Sequence, residues 1–211
     1  MYRKPYFCVC DGQQEEMYLK HVAFLLKRFP ERVVTFNTTR GSAERLKKNY
    51  TEYDSAALFD YDFRPAEFHQ NIIDCEQLRR ESRRNGKNVY HAYSNVNIDL
   101  WFILHKQDFN RPVDSNDAYV ADVRRIYGLN PEADIKESAN LKKILNQITI
   151  EDVKHAIIRA DHIRARKLET DRFMVDAVVC YGNPDFSLHE FLKIVLKDCG
   201  ELQILRMGKD E

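Results

Sequence analysis

The stretch Ala56-Ala57-Leu58-Phe59-Asp60-Tyr61-Asp62-Phe63 limits what this chain can fold into more than any other. An apolar run this short reads as a buried strand, because a free-standing helix needs more residues. It ends in two acids two positions apart, and residues i and i+2 of a strand point to the same face. Asp60 and Asp62 therefore project side by side if the strand geometry persists that far. Two carboxylates at that spacing repel unless a cation or a proton lies between them. Hard oxygen ligands at the carboxyl end of a strand suit Mg²⁺, which takes one or two carboxylates and completes its shell with water and phosphate. The alternative for Asp62 is a purely structural one, capping the next helix with Pro65 in its first turn.

Similar strands recur along the first half. Tyr6-Phe7-Cys8-Val9-Cys10 is apolar and is followed by Asp11-Gly12 and a helical spacing of Met17, Leu19, Val22, Leu25, Leu26 and Phe29, which Pro30 stops. Residues 32–36 are β-branched and read as a second strand, 37–41 as a loop and 42–50 as a short polar helix. After the Asp60 strand, residues 65–84 form a charged helix that Asn85-Gly86 ends, and residues 88–93 a fourth strand. The order β-α-β-α-β-α-β predicts a mostly parallel sheet flanked by helices. Ligands of open α/β sheets bind beyond the carboxyl ends of the strands, so Asp11 and Asp60 are expected to face one crevice.

The texture changes after Ser94-Asn95. Residues 97–106 are a strongly apolar helix carrying the single tryptophan, Trp101, and residues 116–127, 137–147 and 151–168 read as three more helices. Residues 171–179 give no decisive pattern, Asn183-Pro184 is a turn, and Ser187 is the expected N-cap of a helix over 188–197. This predicts a core over residues 1–96 and a helical elaboration over 97–211 on the same core, with no linker composition between them. No stretch approaches the roughly 18 apolar residues of a membrane span and the start lacks a signal-peptide core, so a cytoplasmic protein is expected. Five scattered cysteines agree with reduced, buried thiols. Lys+Arg and Asp+Glu both total 33, so any surface for an anionic partner has to come from local clustering.

Several stretches together resemble the RloB-like family, which is related to the Toprim fold and found beside bacterial restriction and phage-defence genes. The carriers are Cys10-Asp11-Gly12 with Glu15, Glu16 and Tyr18, Leu58-Phe59-Asp60-Tyr61-Asp62, the run from Ser94-Asn95 through Asp99, Trp101-Phe102 and Leu104-His105, and Asn183-Pro184. Asp11 and Asp99 each stand where the family has Glu, and Val96 where it has Pro. The resemblance implies a Toprim-like fold and a metal-dependent phosphodiesterase or nuclease acting on DNA or RNA, with Mg²⁺ or Mn²⁺ as cofactor. It further implies a phage-defence setting with a protein partner from the same operon. Carried over by position, Asp60 and Asp62 hold the metal, and Asp11 is a further ligand or general acid/base. Glu16 orients the metal's waters and Asp99 points to the crevice, with Glu15, Asn95 and His105 as secondary candidates.

Asp99 and His105 lie six apart on one helix and do not share a face, and the bland reading of His105 is a hydrogen-bonded core histidine. Arg79, Arg80, Arg83, Arg84 and Lys87 form the expected nucleic-acid-binding cluster, the plain alternative being a dipole-favoured cationic helix end. A second basic run comprises Lys154, Arg159, Arg164, Arg166 and Lys167. Two rivals to the nuclease are a weak or inactive Toprim-like binding or sensor subunit, and a phosphotransfer enzyme on small nucleotides. The last lacks any Gly-rich phosphate loop.

Overall fold

The structure is a computed structural model that describes residues 2–28 and 32–201. The expected end of the first helix at Phe29-Pro30 lies outside the described residues. Strands β1 (Tyr2–Cys10), β2 (Arg32–Arg40), β3 (Asp54–Asp60), β4 (Val89–Asn95) and β7 (Asp185–Phe186) make one sheet in the order β2-β1-β3-β4-β7. The first four are parallel, and β7 pairs antiparallel with β4. A separate hairpin joins β5 (Arg172–Val175) to β6 (Val178–Tyr181), in the segment whose sequence pattern was indecisive. The helices are α1 (Gln13–Leu26), α2 (Pro65–Ser82), α3 (Ile98–Leu104), α4 (Val120–Tyr127), α5 (Ser138–Leu145), α6 (Ile150–Ala165) and α7 (Leu188–Asp198). The protein is thus an α/β fold with a mostly parallel central sheet flanked by helices, consistent with a Toprim-like fold.

Strand alternation explains the two layers. Tyr6, Cys8, Cys10, Ala56, Leu58 and Ala92 face one core, shared with α1, α3, α6 and α7. Phe7, Val9, Ala57, Phe59 and Tyr93 face the other, against α2 and the β5–β6 hairpin. All seven residues of α3 are buried, six of them apolar, so this helix serves as core on every side, with Trp101 fully enclosed and Asp99 its one charged group. Residues 97–201 therefore extend the same core and add β7 to the same sheet. Among the described residues no helix is long and apolar enough to cross a membrane.

Three local expectations are corrected. Residues 37–40 continue β2 instead of looping, because the ladder to β1 runs unbroken from Tyr2↔Arg32 to Cys10↔Arg40 and this edge strand needs only one neighbour. The polar helix expected over 42–50 is a 3-10 turn, Ala43–Lys48. Ser187 stands at the N-cap of α7 without a capping hydrogen bond. Its hydroxyl instead accepts from the Tyr93 N–H at 2.9 Å and donates to the His91 carbonyl at 3.0 Å, stitching α7 to β4.

Strand order fixes where a site can form. The chain moves from β1 outward to β2, then returns to the other side of β1 with β3. The switch point therefore lies between β1 and β3, and its crevice opens beyond Cys10 and Asp60.

Candidate functional site

Four segments bring carboxylates to that crevice. Asp11 follows β1, and its N–H extends the ladder to the Leu58 carbonyl at 2.9 Å. Glu15 sits in the first turn of α1, buried, with Oε2 accepting the Gly12 N–H at 2.8 Å. Glycine permits this close return: a Cβ at residue 12 would stand 3.0 Å from that oxygen. Asp60 ends β3, and its Oδ2 accepts the Ile98 N–H at 3.3 Å. Asp99 lies in the first turn of α3, where the Asn97 side chain accepts its N–H at 3.2 Å. Its Oδ1 accepts from Gln14 Nε2 at 2.8 Å, whereas its Oδ2 is buried with no hydrogen-bond partner.

Asp62 arrives differently from the expectation. The strand stops at Asp60, and Asp62 and Phe63 take left-handed φ values of 46° and 53°, so the pair does not share a pleated face. Asp62 Oδ2 instead lies 3.7 Å from Arg64 Nη2, and no side-chain cap of α2 is formed. It still borders the crevice, because its charge bears on Asp60, Asp11 and Asp99.

Burial and neighbouring like charges raise the proton affinity of all five acids, with Glu67 at the rim acting on Asp11 and Asp62. Burial, then the charges of Asp11 and Asp99, push Glu15 up to about 7 against the pull of the Gly12 N–H. Burial lifts Asp99 to about 6, partly offset by Gln14 and Lys136. Asp60 is raised well above the carboxylate range by burial, Glu15 and Asp62. Asp11 and Asp62 are raised by burial too, with Arg64 opposing. Like charges in a desolvated crevice call for a proton or a cation.

The donor set fits Mg²⁺. It is all hard oxygen, and it includes one buried carboxylate oxygen with nothing to accept from. It is an open ring. Among the described residues no three of these carboxyls bring an oxygen each within 4.8 Å of one another, so Asp11, Asp60 and Asp62 do not form a three-ligand cage. That leaves room for an ion held by one or two carboxylates and by water, and none for one that needs a cage of three.

Other expected residues lie elsewhere. Glu16 turns toward β2, where Lys20 at 2.5 Å and Arg40 at 2.7 Å hold its carboxyl below the usual range. His105 is core: Nδ1 meets the Trp101 carbonyl at 2.7 Å and Nε2 the Tyr18 hydroxyl at 3.1 Å, and burial lowers it to about 3. Asn95 is buried, donating to the Tyr181 carbonyl at 3.1 Å, with its Oδ1 unpartnered.

The basic cluster is at the wrong end of the sheet for the acids. Helix α2 starts at the crevice with Pro65 and runs 18 residues, about 27 Å, to the amino ends of β3 and β4. There Arg79 pairs with Glu76 and Arg80 with Asp176, each at 2.5 Å, and Arg79 and Arg83 line a cleft of about 470 Å³. In the second basic run Lys154 binds Glu201, Arg159 binds Asp108, Arg164 binds Asp185, and Lys167 donates to the Gly182 carbonyl. The cations that do border the acids, Arg64 and Lys136, were missed by sequence reasoning, as was Gln14. Arg64 could have been found from its adjacency to Asp62, but nothing local marks Lys136, which reaches the site through the loop before α5.

A family model described as RloB-like protein matches residues 6–190. No curated protein and no solved structure matches the chain.

Proposed function

This chain belongs to the RloB-like protein family, and from that premise we propose that it is a Mg²⁺-dependent phosphodiesterase of Toprim type that cleaves DNA or RNA in a phage-defence setting. The observation that carries the reading is the group of five carboxyls with raised proton affinity at the β1/β3 switch point, with the Asp99 Oδ2 buried and unpartnered. Asp60 and Asp62 would hold the ion, with Asp11, one methylene shorter than the family's glutamate, as a further ligand or general acid/base. A Mg²⁺ held there would supply stabilisation of charge on phosphoryl oxygens and a lowered pKa for a bound water.

The chain's own groups do the rest. Glu15, at about 7, can hold or release a proton at its Oε1 near neutral pH, while the Gly12 N–H fixes Oε2. Gln14 fixes Asp99 from the neighbouring turn. Arg64 and Lys136, whose charges both bear on Asp62, supply the charge that draws a phosphate backbone in.

The test incubates single- and double-stranded DNA, RNA and tRNA with the protein in Mg²⁺ or EDTA, with Asp60→Ala alongside. Cleavage that requires Mg²⁺ and disappears in Asp60→Ala is expected; cleavage that survives the substitution removes the assigned site. Metal-independent binding without turnover supports a second reading, a binding or sensor subunit, which the shortened Asp11 and Asp99 favour.

A further inference from the structure

Helices α6 and α7 bring together three potential ligands remote from the carboxylate crevice. His189 and Glu190 lie in the first turn of α7 and Asp161 near the end of α6. One ligand atom from each falls within 4.8 Å of the others, the one such set among the described residues. His189 is fully buried, and neither ring nitrogen has a hydrogen-bond partner. A buried imidazole left so is unfavourable. Yet its Nε2 stands 3.1 Å from Glu190 Oε1 and 3.3 Å from Asp161 Oδ1, in ionic contact with both carboxylates but off the line of a hydrogen bond to either.

Those separations are those of ligands around a common ion. Two atoms each about 2.0 to 2.1 Å from a tetrahedral Zn²⁺ stand roughly 3.3 Å apart. The cation now beside the carboxylates is Lys193, whose Nζ lies 2.5 Å from Asp161 Oδ1 and 3.1 Å from Glu190 Oε1. It neutralises the two acids but donates to neither ring nitrogen, and an unprotonated ring nitrogen needs a donor or a metal. Asp161 and Glu190 are 41% and 54% exposed, so the carboxylate side is open for an ion and its remaining water ligand.

We propose that Asp161, His189 and Glu190 form a Zn²⁺-class site in which the metal displaces the Lys193 ammonium. One imidazole and two carboxylates form a mixed nitrogen and oxygen set that suits Zn²⁺ over Mg²⁺, so the site is distinct in chemistry as well as place. It fastens α7 to α6 in the layer that covers the sheet.

The test titrates the metal-free full-length protein with Zn²⁺, and separately with Co²⁺ for its visible absorption, in excess Mg²⁺. One equivalent should bind with the absorption of a low-coordinate Co²⁺ site. His189→Ala and Glu190→Gln should each weaken binding at least about 10-fold, the range seen when even outer partners of a metal are lost. Lys193→Ala should tighten it, and Asp60→Asn should leave it unchanged. Circular dichroism checks that each variant folds, and the exposed Glu190→Gln keeps the test open should His189→Ala unfold. No saturable Zn²⁺ binding, binding indifferent to Glu190→Gln, or binding lost with Asp60→Asn would overturn the proposal.

Discussion

Replacing Asp99 by Asn should shift the protein's stability relative to wild type from a loss at low pH to near parity or a small gain at high pH, a pH dependence that the crevice electrostatics dictate. Asp99 is 1% exposed, and burial raises its carboxyl from 3.8 to about 6. Between these values the unfolded chain ionises Asp99 and the folded chain does not, so wild-type stability falls as pH rises through the window. Each tenfold change in proton affinity is worth about 1.4 kcal/mol, so the folded state carries a penalty of about 3 kcal/mol once both states are ionised. Asn retains the oxygen that accepts from Gln14 but places an amide where the unpartnered Oδ2 stood. That buried amide costs about 1 to 3 kcal/mol at every pH, so the net gain at high pH is small. The slope is the diagnostic: the stability of Asp99→Asn relative to wild type should rise by about 2 to 3 kcal/mol between about pH 4 and about pH 8. Removing the charge also relieves Glu15 and Asp60, which adds to the rise. Urea denaturation in EDTA, followed by the fluorescence of Trp101, reads it directly, since this is the single tryptophan and is buried. A stability difference that stays flat over that range would refute the account of Asp99 as a destabilised buried acid.

Two further outcomes follow from where the side chains lie. Arg64→Ala and Lys136→Ala should each reduce the slope of log affinity against log salt by about 1, whereas Arg83→Ala and Arg84→Ala, at the far end of α2, should leave it and the cleavage rate unchanged. Filter binding across a salt series distinguishes them, and the reverse pattern would move the nucleic acid to the other end of the sheet. His105→Ala should cost about 2 to 4 kcal/mol in urea denaturation, by opening a cavity and stranding the Tyr18 hydroxyl, without lowering the activity of the folded fraction. Because His105 takes a proton at 6.5 when unfolded and only near 3 when folded, wild-type stability should fall as pH drops through that interval, and less steeply in the variant.

The amino-acid sequence by itself determines the parallel core, because its signals are local. Short apolar runs, helical spacing between them and stops such as Asn85-Gly86 act within a few residues of themselves, and Gly86 takes the left-handed φ of 64° that such a stop requires. Asp11 and Asp60 could be assigned to one crevice because parallel strands all end on the same side. Only tertiary structure chose Glu15 over Glu16, since neighbours on a helix differ by about 100° and the docking of α1 decides which one turns inward. The same holds for the basic cluster, which the return direction of α2 carries away from the acids, and for β7, too short at two residues to show any period. Asp161 and His189 are separated by 28 positions and meet only because α6 and α7 pack together. Contacts of that kind are set by how faces are buried against one another, a property no single segment carries.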